Sequence, residues 1–173
     1  MSRVFKTIEE FKVAPKYPII LVLDNIRSLN NVGSFFRTAD SFLLEGIYLC
    51  GITGKPPHRE IEKTALGATL SVEWRYFSTT NEAIDLLKQN GYKVIAIEQC
   101  EKSILLNQIK FHDEEKIALV FGNEVTGISN EIIDSCDLCI EIPQMGTKHS
   151  LNVAVCGGIV CWEIIKQIGI KEM

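Results

Sequence analysis

Apolar runs recur along the chain at residues 19–23, 46–49, 71–75, 93–97, 116–121 and 138–142. Runs such as IILVL (19–23) and IALVF (117–121) are continuous, without polar alternation. That is the pattern of strands covered on both faces. Between them apolar residues return at helical spacing: Phe35, Phe36, Ala39 and Phe42 mark a helix over 32–41. Further helices are predicted at 81–90, 130–135 and 152–168. Strand and helix in alternation predict an α/β fold, a mainly parallel sheet with helices on both faces. No repeat, low-complexity tract or linker interrupts the pattern. The expected organisation is a short N-terminal segment, 1–18, followed by a single domain over 19–173.

The segment 142–154, IPQMGTKHSLNVA, breaks this plan most sharply. Pro143 and Gly146 punctuate the end of a strand. Ser150 and Asn152 then flank Leu151, and an apolar helix follows without a break. Polar groups against an apolar wall at such a turn suit a small amphiphilic ligand. The same residues also serve as an ordinary loop and helix cap. Two more segments tip this balance. Asn31 sits at a helix start with Arg37 nearly two turns further on, and Gly122, Asn123, Glu124 and Gly127 open a polar turn after a buried strand. Ligands in open α/β sheets bind at the carboxyl ends of strands, which places Gly122 and Ile142 on one rim. No GxGxxG follows the first strand, so a dinucleotide site has no support.

In this order the three segments resemble the motifs of the SpoU/TrmH branch of the SPOUT RNA methyltransferases. The first is Asn31 with Arg37, the second Gly122-Asn123-Glu124 with Gly127, the third Ile142-Pro143 with Gly146 and Ser150-Leu151-Asn152. The stretch from Glu62 to Ala68, EKTALGA, resembles a further family loop, and the likeness runs over about 19–168. It implies a deep trefoil knot in the C-terminal segment, a feature rare enough that periodicity would never propose it. It also implies S-adenosylmethionine held by Gly122, Ile142 and Leu151, with Glu124 and Met145 close by. The implied reaction is methyl transfer to a ribose 2′-hydroxyl of RNA, catalysed by a homodimer whose last helix contributes to the interface and whose active site draws on both subunits.

Position by position, Arg37 matches the family's catalytic arginine. Asn31 positions Arg37 or the ribose, Ser150 and Asn152 bind substrate or shape the cofactor loop, and Glu124 orients its neighbours. Each has a plainer reading too: Asn31 and Asn152 as helix caps, Arg37 paired with Asp40 at i+3, Glu124 as a brace for its turn. Two residues depart from the common pattern: Asn30 stands where His is frequent, and Gln144 where Met is frequent. A minimal domain favours tRNA over rRNA as the acceptor. The rival readings are a non-catalytic RNA-binding protein of the same fold and a small-molecule α/β enzyme unrelated to RNA.

Composition adjusts the picture little. A hydrophobic content of 46% reads as globular. A net charge of −4 argues mildly against nucleic acid, unless the basic residues cluster. Candidate clusters are Arg3, Lys6, Lys12 and Lys16; Lys55, His58, Arg59 and Lys63; and Arg37 with Lys148 and His149. No apolar run approaches the roughly 18 residues of a membrane span, and MSRVFKTIEEF lacks a signal-peptide core. A soluble, cytoplasmic protein is expected. Cys136 and Cys139 have zinc-like spacing, yet no second pair completes four ligands. Cys50, Cys156 and Cys161 neighbour apolar residues, and neither metal nor disulfide is expected.

Overall fold

The computed structural model describes residues 6–170, so Arg3 and the outermost ends of both expected segments lie outside the described residues. Seven strands form one sheet: β1 (Tyr17–Asp24), β2 (Leu44–Cys50), β3 (Trp74–Phe77), β4 (Lys93–Ile97), β5 (Ile104–Leu105), β6 (Ile117–Phe121) and β7 (Leu138–Glu141). Their order is β3-β2-β1-β6-β4-β7-β5, and every neighbouring pair is parallel. The helices are α1 (Ile8–Val13), α2 (Leu29–Ser41), α3 (Arg59–Ala65), α4 (Thr80–Gln89), α5 (Asn130–Ser135) and α6 (Val153–Ile168).

Two cores explain the continuous apolar runs. Successive strand residues point to opposite faces. Ile19, Leu21 and Leu23 of β1 pack with α2, α3 and α6 on one side. Ile20 and Val22 pack with α4 and α5 on the other. With helices on both faces, neither set of positions can be polar. The expected α/β class is therefore the observed one.

Local boundaries differ from the sequence reading in instructive ways. The strand expected at 71–75 starts only at Trp74. Ser71 and Val72 instead close a short 3₁₀ turn: both N–H groups donate to the Ala68 carbonyl, and the Ser71 hydroxyl donates to the Asp40 carboxylate. Helix α2 begins at Leu29, three residues early, because Ser28 is its cap and accepts from the Asn31 N–H at 3.3 Å. Asn31 is thus a first-turn residue, and its side chain is available for other partners. Asn152 does cap α6, accepting from the N–H groups of Ala154 (2.9 Å) and Val155 (3.2 Å). Helices α1 and α3 and the two-residue β5 are too short to show a period in sequence.

Candidate active site

The turn after β6 joins two other segments of the carboxyl rim. Asn123 organises it: Oδ1 accepts from the N–H groups of Val125 (2.9 Å) and Thr126 (3.1 Å), while Nδ2 donates to the Asn25 carbonyl at 2.7 Å. Glu124 extends from the turn to the loop after β1. Its Oε2 accepts from the Arg27 N–H at 2.9 Å; its Oε1 accepts from the Ser28 N–H at 3.0 Å and from Asn31 Nδ2 at 2.9 Å. Asn31 Oδ1 in turn accepts from Asn152 Nδ2 at 3.1 Å. An ionised carboxylate only accepts and a helix N-terminus only donates, so both amides have one orientation each. Partial burial raises the Glu124 carboxyl, but the Arg27 N–H, the Asn31 amide and the Ser28 N–H outweigh it, and the group titrates below its ordinary value.

Beside this network lies a cavity of about 1050 Å³ formed by the ends of β4, β6 and β7 and the loop into α6. Of the catalytic and cofactor residues expected from the sequence, Gly122, Glu124, Ile142, Ser150, Leu151 and Asn152 line it. A Cβ on Gly122 would stand 2.5 Å from the Gly127 carbonyl carbon and 2.6 Å from the Ile128 nitrogen, so only bare backbone fits there. Asn31 joins through Glu124 and Asn152. Met145 does not line the cavity; it is 97% exposed.

Arg37 also lies outside the lining and is exposed on α2. Six residues make about one and two-thirds helical turns, so it occupies a different face of α2 from Asn31. The plainer reading of Arg37, an ion pair with Asp40, is not formed; the Asp40 carboxylate accepts from the Ser71 hydroxyl. The basic residues converge only in part. Lys55 packs over the Tyr76 ring (3.9 Å), Lys63 pairs with Glu60 (3.7 Å), and His58 caps α3. Arg27, Arg37 and Arg59 are exposed and form no ion pair among the described residues. His149 lines the cavity, and Lys148 is exposed beside it.

Glu98 escaped the sequence reading, although it directly follows the 93–97 run and so stands at a strand's carboxyl end. It lines the cavity. The cysteines are all free, and burial pushes the thiols of Cys50, Cys136, Cys139, Cys156 and Cys161 up to about 12. Among the described residues no group of three or more His, Cys, Asp or Glu could hold a metal, and no helix is long and apolar enough to cross a membrane. On α6, Val155 (53%), Ile159 (39%) and Trp162 (48%) form an exposed apolar stripe at i, i+4 and i+7.

Comparison with known proteins gives these motifs a family. An uncharacterized tRNA/rRNA methyltransferase of Borreliella burgdorferi is 32% identical, over 94% of this chain and 70% of the relative. A tRNA (guanosine(18)-2′-O)-methyltransferase of the same organism is 29% identical, over 87% of this chain and 67% of the relative. The AdoMet-bound rRNA methyltransferase from Sinorhizobium meliloti has the same fold, with a TM-score of 0.79 and 28% identity over 86% of this chain and 56% of that one. The chain thus spans about two thirds of those curated relatives and little more than half of the solved structure. The profile of the SpoU rRNA methylase family matches residues 18–162, and the chain belongs to that family, in the SpoU/TrmH group of SPOUT proteins.

Proposed function

We propose that this chain transfers a methyl group from S-adenosylmethionine to a ribose 2′-hydroxyl of RNA, with tRNA the favoured acceptor. The observation that carries the reading is the Glu124–Asn31–Asn152 network, which ties all three motifs to the rim of one cavity. The cavity is of the size of small-molecule sites, which run to about 1,000 Å³. Its lining suits the cofactor: apolar Phe121, Ile142 and Leu151, bare backbone at Gly122, and the carboxylates Glu101 and Glu141 to favour a cationic ligand. When bound, S-adenosylmethionine supplies an activated methyl on its sulfonium.

The chain's own residues have to align the acceptor and manage a proton. A guanidinium stays protonated, so Arg37 is no base. Its role is to hold an RNA phosphate and stabilise the developing alkoxide, while phosphate or water takes the proton. Ser150, whose hydroxyl has no hydrogen bond among the described residues, is available to the acceptor from the cavity wall. Asn31 and Asn152 hold that wall in place. Arg37 stands outside its own cavity, and a homodimer seated on the Val155–Ile159–Trp162 stripe gives it a second cavity to serve. The family relationship likewise supports a C-terminal knot, and RNA modification in the cytoplasm.

The tRNA preference is supported by the relative named for tRNA guanosine 2′-O-methylation. The second reading, rRNA, is supported by the fold shared with the rRNA methyltransferase. Transfer of labelled methyl to unmodified tRNA and rRNA pools tests both, with Arg37→Ala beside wild type. Label in ribose of one pool, lost in the variant, is the expected result. Cofactor binding without transfer to either pool would instead favour the non-catalytic or small-molecule readings.

A further inference from the structure

The carboxylate of Glu98 is held entirely by backbone. Oε1 accepts from the Gln99 N–H at 2.9 Å and Oε2 from the Ile128 N–H at 3.0 Å. The residue itself is pinned to β7: its N–H donates to the Ile140 carbonyl at 3.0 Å, and its carbonyl accepts from Cys139 Sγ at 3.3 Å. Glu98 therefore reaches from the end of β4 to the far end of the turn that carries Glu124. Gly127, at φ +65°, makes room for it; a Cβ there would lie 2.5 Å from Glu98 Oε2. The turn is closed on itself by the Gly127 N–H, which donates to the Asn123 carbonyl at 2.9 Å.

Two carboxylates thus grip one turn from opposite ends. Glu124 fastens it to the loop before α2, and Glu98 fastens it to the ends of β4 and β7. Gly122 opens the same turn, lines the cavity and packs against Gly127 and Ile128, where Glu98 holds the turn. Losing the Ile128 bond would leave that N–H, in a buried residue, without its acceptor. We propose that Glu98 is a positioning residue for the cofactor, setting the turn so that the Gly122 backbone presents a fixed surface to S-adenosylmethionine. The role rests on the cavity being the cofactor site. Glu98 acts through the turn, so RNA recognition is left unchanged.

The test compares wild type with Glu98→Ala and Glu98→Gln in three measurements: calorimetric affinity for S-adenosylmethionine, KM for RNA, and amide hydrogen exchange at Ile128. For Glu98→Ala, about tenfold weaker cofactor binding and about tenfold faster Ile128 exchange are expected, with the RNA KM within about twofold. Glu98→Gln keeps one acceptor oxygen and falls between; it also stands in should the alanine variant fail to fold. Cofactor affinity within about twofold of wild type in a folded variant overturns the proposal. So does an equal loss for RNA and cofactor with faster exchange across the whole sheet, which marks general destabilisation. Wild type that binds no S-adenosylmethionine would overturn the cavity reading and this role with it, a result distinct from a normal wild type with an indifferent variant.

Discussion

Glu124 and Asn31, 93 residues apart in sequence, share a hydrogen bond of 2.9 Å that joins the turn after β6 to the first turn of α2. The same carboxylate also takes the N–H groups of Arg27 and Ser28. One side chain therefore sets both the approach to α2 and, through Asn31, the start of α6. That is a brace, as the plainer reading had it, but a brace between the motifs rather than within a turn.

A pH dependence follows for Glu124. Its donors depress the folded-state pKa, so its stabilisation is fully present above the unfolded value of about 4.3 and is lost as pH falls through the lower folded value. Glu124→Gln should cost about 1 kcal/mol at neutral pH, below the usual range for charged hydrogen bonds because the side chain meets solvent. Thermal melts of both proteins should converge as the solution is acidified. A gap unchanged from about pH 7 to 3 would sink the assignment.

Arg37 should separate catalysis from stability. It has no ion pair among the described residues, so Arg37→Ala should leave the melting curve within about 0.5 kcal/mol of wild type. Methyl transfer should fall roughly 100- to 1,000-fold. Arg37→Lys should recover part of it, since lysine supplies charge without the guanidinium fork. Full activity in Arg37→Ala would remove Arg37 from the mechanism.

Asn152 is both a cap and a link. Asn152→Ala should destabilise by about 1 kcal/mol through the cap alone. In a double-mutant cycle with Asn31→Ala, a further coupling of about 0.5 kcal/mol or more should appear from the 3.1 Å bond between them. Strict additivity in chemical denaturation would show that the bond contributes nothing.

The dimer reading is tested by mixing. Trp162→Glu should shift sedimentation toward the monomer by charging the exposed stripe of α6. Separately, Arg37→Ala and Leu151→Asp proteins are each expected to be inactive. If Arg37 serves the partner's cavity, denaturing and refolding them together at equal amounts should restore roughly a quarter of the wild-type sites. No recovery from a mixture that demonstrably forms heterodimers would place Arg37 with its own cavity.

Much of the cavity lining is legible in the sequence. Gly122, Ile142, Leu151 and Ser150 stood out because a buried run stops abruptly at a polar turn, which is a local property. Glu98 obeys the same rule, but no glycine or proline marks its turn. Met145 is the opposite case: it neighbours the lining residues in sequence, yet its side chain is exposed and outside the cavity, because the composition of a loop does not dictate which side chain turns inward. Arg37 matched a motif, while helical geometry put it on another face from Asn31.

What the sequence determined by itself is the set of elements and their buried faces. Period-two and period-3.6 patterning are written residue by residue, so two-sided strands such as β1 and β6 could be read directly. What only the tertiary structure decided is which rim segments meet. Strand order runs β1-β6-β4-β7, not in chain sequence, and it is this order that brings the turn of Glu124 beside Arg27 and Asn31, and carries Asn152 back to Asn31 across 121 residues. Parallel pairing is settled by competition among whole strands for two covered faces, a property of the assembled sheet that no local stretch of residues encodes.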